Sequence, residues 1–66
     1  EDGLDFYRKI ALDAKNFIKD NGAIFFEIGY NQGHDVKCIL ENNNYKNIHI
    51  LKDLSGLDRV VWGIKN

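Results

Sequence analysis

Apolar residues recur at helical spacing early in the chain and gather into short runs later. Tyr7, Ile10, Ala11, Ala14, Phe17 and Ile18 follow i, i+3, i+4, i+7 spacing, which lines one face of a helix. Arg8, Lys9, Asp13, Lys15 and Asn16 fall on the opposite face. Asp2 suits an N-cap, and Asp5 places negative charge in the positive first turn. Asn21-Gly22 supplies the stop, with glycine taking the left-handed conformation that ends many helices. The pattern predicts a helix over roughly residues 3–20. Ala23-Ile24-Phe25-Phe26-Glu27-Ile28 is too short for a helix and does not alternate apolar with polar. Such a run suits a strand covered on both faces, as in a parallel α/β sheet. Gly29 to Gly33 reads as a turn, with Asn31 as the cap of a second helix that carries Val36, Ile39 and Leu40 on one stripe. Asn42-Asn43-Asn44 ends that helix, because Asn side chains compete for backbone hydrogen bonds. Ile48 to Leu51 is a second strand, Asp53 to Asp58 a turn, and Arg59 to Ile64 a third strand. The short connection lets the last two strands run antiparallel. The fold class is therefore α/β, in the order α-β-α-β-β, over one segment spanning residues 1–66.

Composition narrows the function classes. A 66-residue chain of 7.6 kDa buries only about 60% of the surface its unfolded form exposes. Core burial alone leaves such a domain about 3–5 kcal/mol of stability. Cys38 is the single cysteine, so no intrachain disulfide can add to this. A lone cysteine fits a reducing, cytoplasmic compartment. Net charge is −1 and the pI about 6.1, which gives no basic face for nucleic acid or an anionic membrane. No apolar run approaches the ~20 residues that span a bilayer. No charged-then-apolar leader opens the chain. The chain lacks an initiator methionine, and any methionine at all, which suggests a piece of something longer.

Several residues invite a functional reading. Gly29-x-x-x-Gly33 before a helix resembles a phosphate loop, yet it lacks the Gly-Lys-Ser/Thr ending and the Gly-x-Gly-x-x-Gly pattern. Both glycines are better assigned to a tight strand-to-helix turn. His34 and Cys38 are four apart on the second helix, and His49 is a third possible metal ligand. The spacing matches no standard zinc pattern, so no metal site is expected. Glu27 is an acid ending an apolar strand. In open α/β sheets ligands bind outside the carboxyl ends of strands. Glu27 either borders such a site or serves structure, accepting amides of the 29–33 turn or pairing with Arg59. The structural role is the better founded, since ion pairs also put acids in such places. Asp58-Arg59 reads as the solvated start of a strand. Phe25, Phe26, Tyr30 and Trp62 read as core rather than as a base-stacking platform. No catalytic triad or spaced carboxylate pair is visible.

Three stretches nevertheless form a recognisable set: Glu1-Asp2-Gly3-Leu4-Asp5-Phe6-Tyr7-Arg8, Glu27-Ile28-Gly29-Tyr30-Asn31-Gln32-Gly33, and Lys52-Asp53-Leu54-Ser55-Gly56-Leu57-Asp58-Arg59-Val60-Val61-Trp62-Gly63. In this order they resemble the C-terminal end of the HemK-type glutamine methyltransferases. The resemblance implies a Rossmann-like sheet in which residues 23–28, 48–51 and 59–64 are strands five, six and seven. Strand seven would be antiparallel and inserted between five and six. It implies a parent enzyme that uses S-adenosylmethionine to methylate a glutamine in peptide-chain release factors. In such an enzyme the amide nitrogen attacks the methyl carbon in line, with sulfur leaving. Family members often carry Asp at the position of Asn31 and an acid at that of His34.

The family's working parts are not among these residues. Its glycine-rich cofactor loop, its ribose-binding acid and its Asn-Pro-Pro-Tyr motif lie elsewhere, and this chain contains no proline. No catalytic, cofactor-binding or metal residue is therefore assigned. The 66-residue polypeptide is expected neither to bind the cofactor nor to turn over. With strand four missing, the edge of strand 23–28 would be unpaired, and self-association through it is expected. The competing reading is a free-standing α-β-α-β-β interaction module without catalysis. A nucleic-acid binder is disfavoured by the pI.

Overall fold

The computed structural model describes residues 3–66. Helix α1 spans Asp5–Asp13, tightens into a 3-10 turn at Ala14–Asn16, and leads to strand β1, Ala23–Glu27. Helix α2 spans Gly33–Asn42, strand β2 Tyr45–Lys52 and strand β3 Asp58–Lys65. The sheet order is β1-β3-β2, with β3 antiparallel to both neighbours. The antiparallel strand between two others is the arrangement that the family resemblance implies. The two helices cover one face. There Leu4, Ala11, Val36, Ile39 and Leu40 close over Ile24, Phe26, Ile28, Tyr45 and Val61 in one core.

Four expectations need correction. The first helix is shorter than residues 3–20, and Phe17 is 85% exposed rather than in the core. The 3-10 turn winds the chain more tightly than an α-helix, so the 3.6-residue stripe ends at Ala14. The predicted cap Asp2 lies outside the described residues. At the following turn Asn21, not Gly22, takes positive φ (68°). Gly22 answers a different need, since a Cβ there would lie 2.6 Å from Ile18 Cγ2 and 2.9 Å from the Lys19 carbonyl oxygen. Asn31 does not cap α2. Gln32 holds that position, without a side-chain capping bond. Lastly, β1 is not covered on both faces. Ile24 and Phe26 are buried and Ala23, Phe25 and Glu27 exposed, the alternation of a strand with one covered face.

The open face is not polar. Phe25, Trp62 and His49 are cross-strand neighbours. Their rings stack along the row, with centroids 5.5 Å apart for Phe25–Trp62 and 4.7 Å for His49–Trp62. Val60 and Ile64 flank Trp62 on the same side, since alternate residues of a strand share a face. The outer edge of β1 has no strand partner among the described residues.

Lysines and a tyrosine join the layers. Lys65 Nζ donates to the carbonyls of Lys15 and Ile18, at 2.7 and 2.8 Å, and so caps the end of the first helical segment from the last strand. Lys15 Nζ in turn donates to the Asn43 carbonyl just past α2. Tyr45, 5% exposed, donates its hydroxyl to the Ala11 carbonyl at 2.7 Å. Burial pushes the Tyr45 pKa up, which keeps the hydroxyl a donor.

Candidate functional site

The carboxyl ends of β1 and β2 and the start of β3 lie at one end of the sheet, and described residues of all three sequence stretches meet there. Tyr7 projects from α1 and packs edge-on against Phe26, with ring centroids 5.2 Å apart. Its hydroxyl lies 3.2 Å from the Glu27 carbonyl oxygen and 3.1 Å from Gln32 Oε1. Gln32 Oε1 also accepts the Gly29 amide at 2.9 Å, and the Gln32 amide returns to the Gly29 carbonyl at 3.0 Å. This closes the turn between β1 and α2. Gly29 lets the ring close tightly, because a Cβ there would stand 3.3 Å from Gln32 Oε1.

The third stretch reaches the second through two contacts. The Ile28 amide donates to the Arg59 carbonyl at 3.0 Å. The Asp58 carboxylate lies against Gly33, filling the space a Cβ would need. Asp58 also pairs with Lys52 across the hairpin. A carboxylate at the first residue of α2 faces the positive end of the helix dipole. Asp58 is thus a partner of the α2 terminus as well as the first residue of a strand.

Between β2 and β3 the chain turns around Asp53. One carboxylate oxygen accepts the amides of Ser55 and Leu57, at 2.8 and 3.0 Å, and the other accepts Arg59 Nε at 2.8 Å. The Asp53 amide donates to the Leu57 carbonyl, and Gly56 takes φ of 83°. Arg59, followed by the Leu57 and Ser55 amides, holds the Asp53 pKa below the usual 3.8. A lowered folded pKa stabilises the fold above the unfolded value, and the benefit is lost as pH falls through the folded one. Asp53→Asn should therefore lower the Tm at about pH 7, and the gap to wild type should shrink toward about pH 3. Thermal melts of both proteins at the two pH values check this. A gap that stays constant would mean the charge on Asp53 contributes nothing.

Glu27 takes neither structural role foreseen for it. Its side chain sits on the open face opposite Val60, so strand alternation puts Arg59 on the other face, where it pairs with Asp53. The turn amide is taken by Gln32 instead. Glu27 is left exposed at the strand's carboxyl end, without a side-chain partner among the described residues. Tyr30 and Phe25, expected in the core, are each 62% exposed. His34 Nε2 lies 3.6 Å from Cys38 Sγ on α2. His49 is on the strand face stacked with Trp62. Among the described residues no three candidate ligands gather for a metal. Sequence reasoning missed Tyr7, Gln32 and Asp58 as a set. Each had ordinary local roles, and only the family resemblance of the three stretches signalled that they belong together.

No enclosed pocket forms among the described residues, and no helix there is long and apolar enough to cross a membrane. No protein-family model matches the chain. Curated relatives do. The chain is 50% identical over 60 residues to the release factor glutamine methyltransferase of Fusobacterium nucleatum, covering 91% of this chain and 17% of that protein. It is 43% identical over 65 residues to the protein of the same name from Clostridium acetobutylicum, covering 98% of this chain and 23% of that protein. The fold is similar to the crystal structure of a protein-(glutamine-N5) methyltransferase, release factor-specific, from Alicyclobacillus acidocaldarius. That match has a TM-score of 0.75 and 30% identity, and covers 98% of this chain and 42% of the other. The chain thus spans about a fifth of the length of these two curated relatives, and the matched stretch is the C-terminal part of the enzyme.

Proposed function

We propose, from the premise that this chain belongs to the release factor glutamine methyltransferase family, that it completes the catalytic domain of an enzyme methylating a glutamine side chain of a peptide-chain release factor. The carrying observation is the match over nearly the whole chain, in sequence at up to 50% identity and in fold. The convergence of its three characteristic stretches at the carboxyl end of the sheet supports the same reading. The methyl donor of that enzyme would be S-adenosylmethionine, and its compartment the cytoplasm.

The residues present do not fit the donor. The described residues form no enclosed pocket. The chain has no proline, hence no Asn-Pro-Pro-Tyr, and no glycine-rich loop of the dinucleotide type. No step of methyl transfer is therefore assigned to a residue of this chain. Its contribution is architectural: it supplies three strands, the helices over one of their faces, and the wall formed by the 28–33 and 53–58 segments. Alone, the 66-residue polypeptide should be inactive, and its open β1 edge should pair with a second copy. Equilibrium dialysis with radiolabelled S-adenosylmethionine, followed by methylation of a release factor, tests the first statement. Retained counts or transferred methyl groups at micromolar protein would overturn it. Sedimentation tests the second, where a monomer at high concentration is the adverse result.

A further inference from the structure

Among the described residues three asparagines hold positive φ: Asn21 at 68°, Asn44 at 67° and Asn47 at 53°. Asparagine tolerates this region better than most residues that carry a Cβ. Asn44 is followed by Tyr45 and Asn47 by Ile48, whereas Asn21 is followed by Gly22. That difference is chemical. The amide nitrogen of the next residue can attack an asparagine side-chain carbonyl, and a bulky side chain on that residue shields the nitrogen. Glycine leaves it open.

The fold itself demands the Asn-Gly pair. Position 21 needs a residue that accepts positive φ. Position 22 needs a residue without Cβ, which would meet Ile18 Cγ2 at 2.6 Å and the Lys19 carbonyl oxygen at 2.9 Å. The same backbone also holds the pair in check. The Gly22 amide donates to the Lys19 carbonyl at 2.8 Å, so its nitrogen is engaged. The Asn21 amide donates to the Lys65 carbonyl at 3.0 Å, and the Lys65 amide donates to the Gly22 carbonyl at 2.7 Å. Lys65, the last residue of β3, thus ties down both members of the pair. Its Nζ ties down the preceding turn through the Lys15 and Ile18 carbonyls.

We propose that Asn21-Gly22 is a site of spontaneous deamidation, gated by release of the turn from Lys65. In the released turn the Gly22 nitrogen loses its proton and bonds to Asn21 Cγ. The Cγ–Nδ2 bond breaks and ammonia leaves, giving a succinimide. Water then opens the ring. Attack at Cγ yields aspartate, and attack at the backbone carbonyl yields isoaspartate, which adds a methylene to the main chain. The isoaspartyl turn is too long to keep both Lys65 bonds in register. Asn44 and Asn47 share the conformation but lack the open neighbour, so they stay intact.

The test incubates the full polypeptide that carries residues 1–66 in neutral buffer and in concentrated urea. Mass spectrometry of protease fragments locates each amide-to-acid exchange. Hydroxylamine, which cuts a chain at a succinimide, supplies a second readout between Asn21 and Gly22. Deamidation at Asn21 should be about tenfold slower in buffer than in urea, because local opening limits it. Lys65→Ala in buffer should give a rate between the two. Asn21→Gly, which keeps the positive φ, should abolish both products and leave the far-UV spectrum unchanged. Equal rates in buffer and urea overturn the gating. Exchange at Asn44 or Asn47 as fast as at Asn21, or none at Asn21 in urea, overturns the site.

Discussion

Leu40→Ala should leave the 66-residue chain without a cooperative unfolding transition. Leu40 is 0% exposed and, with Val36 and Val61, is among the largest fully buried side chains. Truncating a buried leucine costs roughly 2–5 kcal/mol, made up of lost transfer energy and the cavity left behind. A domain of this size holds about 3–5 kcal/mol in total, so the substitution removes most or all of it. Nothing compensates: Cys38 is free, and no candidate metal cluster exists among the described residues. Leu12→Ala is the matched comparison. Leu12 is 62% exposed on α1, and a surface change of this kind stays within about 0.5 kcal/mol. Circular dichroism during heating reads both. A sigmoidal melt for Leu40→Ala only a few degrees below wild type would mean the core relaxes around the cavity.

The second large effect is expected at Gly33. A methyl group there would overlap Asp58 Oδ2 and approach its Cγ and Cβ at 3.1 and 3.2 Å. The Asp58 side chain must then swing away. In doing so it gives up Lys52 and withdraws its charge from the start of α2. Overpacking of this kind costs about 1–3 kcal/mol. Backbone strain is not the cause, because Gly33 is not among the glycines with positive φ. The double variant Gly33→Ala/Asp58→Ala separates the explanations. With the carboxylate gone, adding the methyl should cost far less than in wild type, which a double-mutant cycle reads as coupling. Additive costs would place the damage elsewhere, in the helix start itself.

Gly33 also shows what local reading leaves open. From the sequence, Gly29 and Gly33 are two glycines of one tight turn. In the structure neither has positive φ, and each is small for a different neighbour: the Gln32 side chain at Gly29 and Asp58 at Gly33. The second neighbour is 25 positions away, so no local rule could name it. Glu27 is a similar case. Its position at the end of β1 was legible, but its freedom from Arg59 followed from the register that pairs it with Val60.

The elements themselves were legible wherever burial is periodic. Val36, Ile39 and Leu40 define a helical face, and all three are in the core. The short connection at 53–57 allowed β2 and β3 to run antiparallel, and the family resemblance carried by the three stretches implied that β3 lies between its neighbours. The alternation of β1 was hidden because Phe25 and Ala23 are apolar yet face outward. The Phe25–Trp62–His49 row lies on a sheet face that no helix among the described residues covers. The early end of α1 was hidden for another reason. Lys65 offers the Lys15 and Ile18 carbonyls a partner, so the backbone can leave the helix there without stranding its acceptors. The order and kind of the elements thus follow from the spacing of apolar residues, because a helix and a strand bury side chains at different periods. Tertiary structure alone decided how Tyr7, Gln32, Gly33, Asp58 and Lys65 are used, because their partners come from distant parts of the chain, and no spacing rule reaches across a fold.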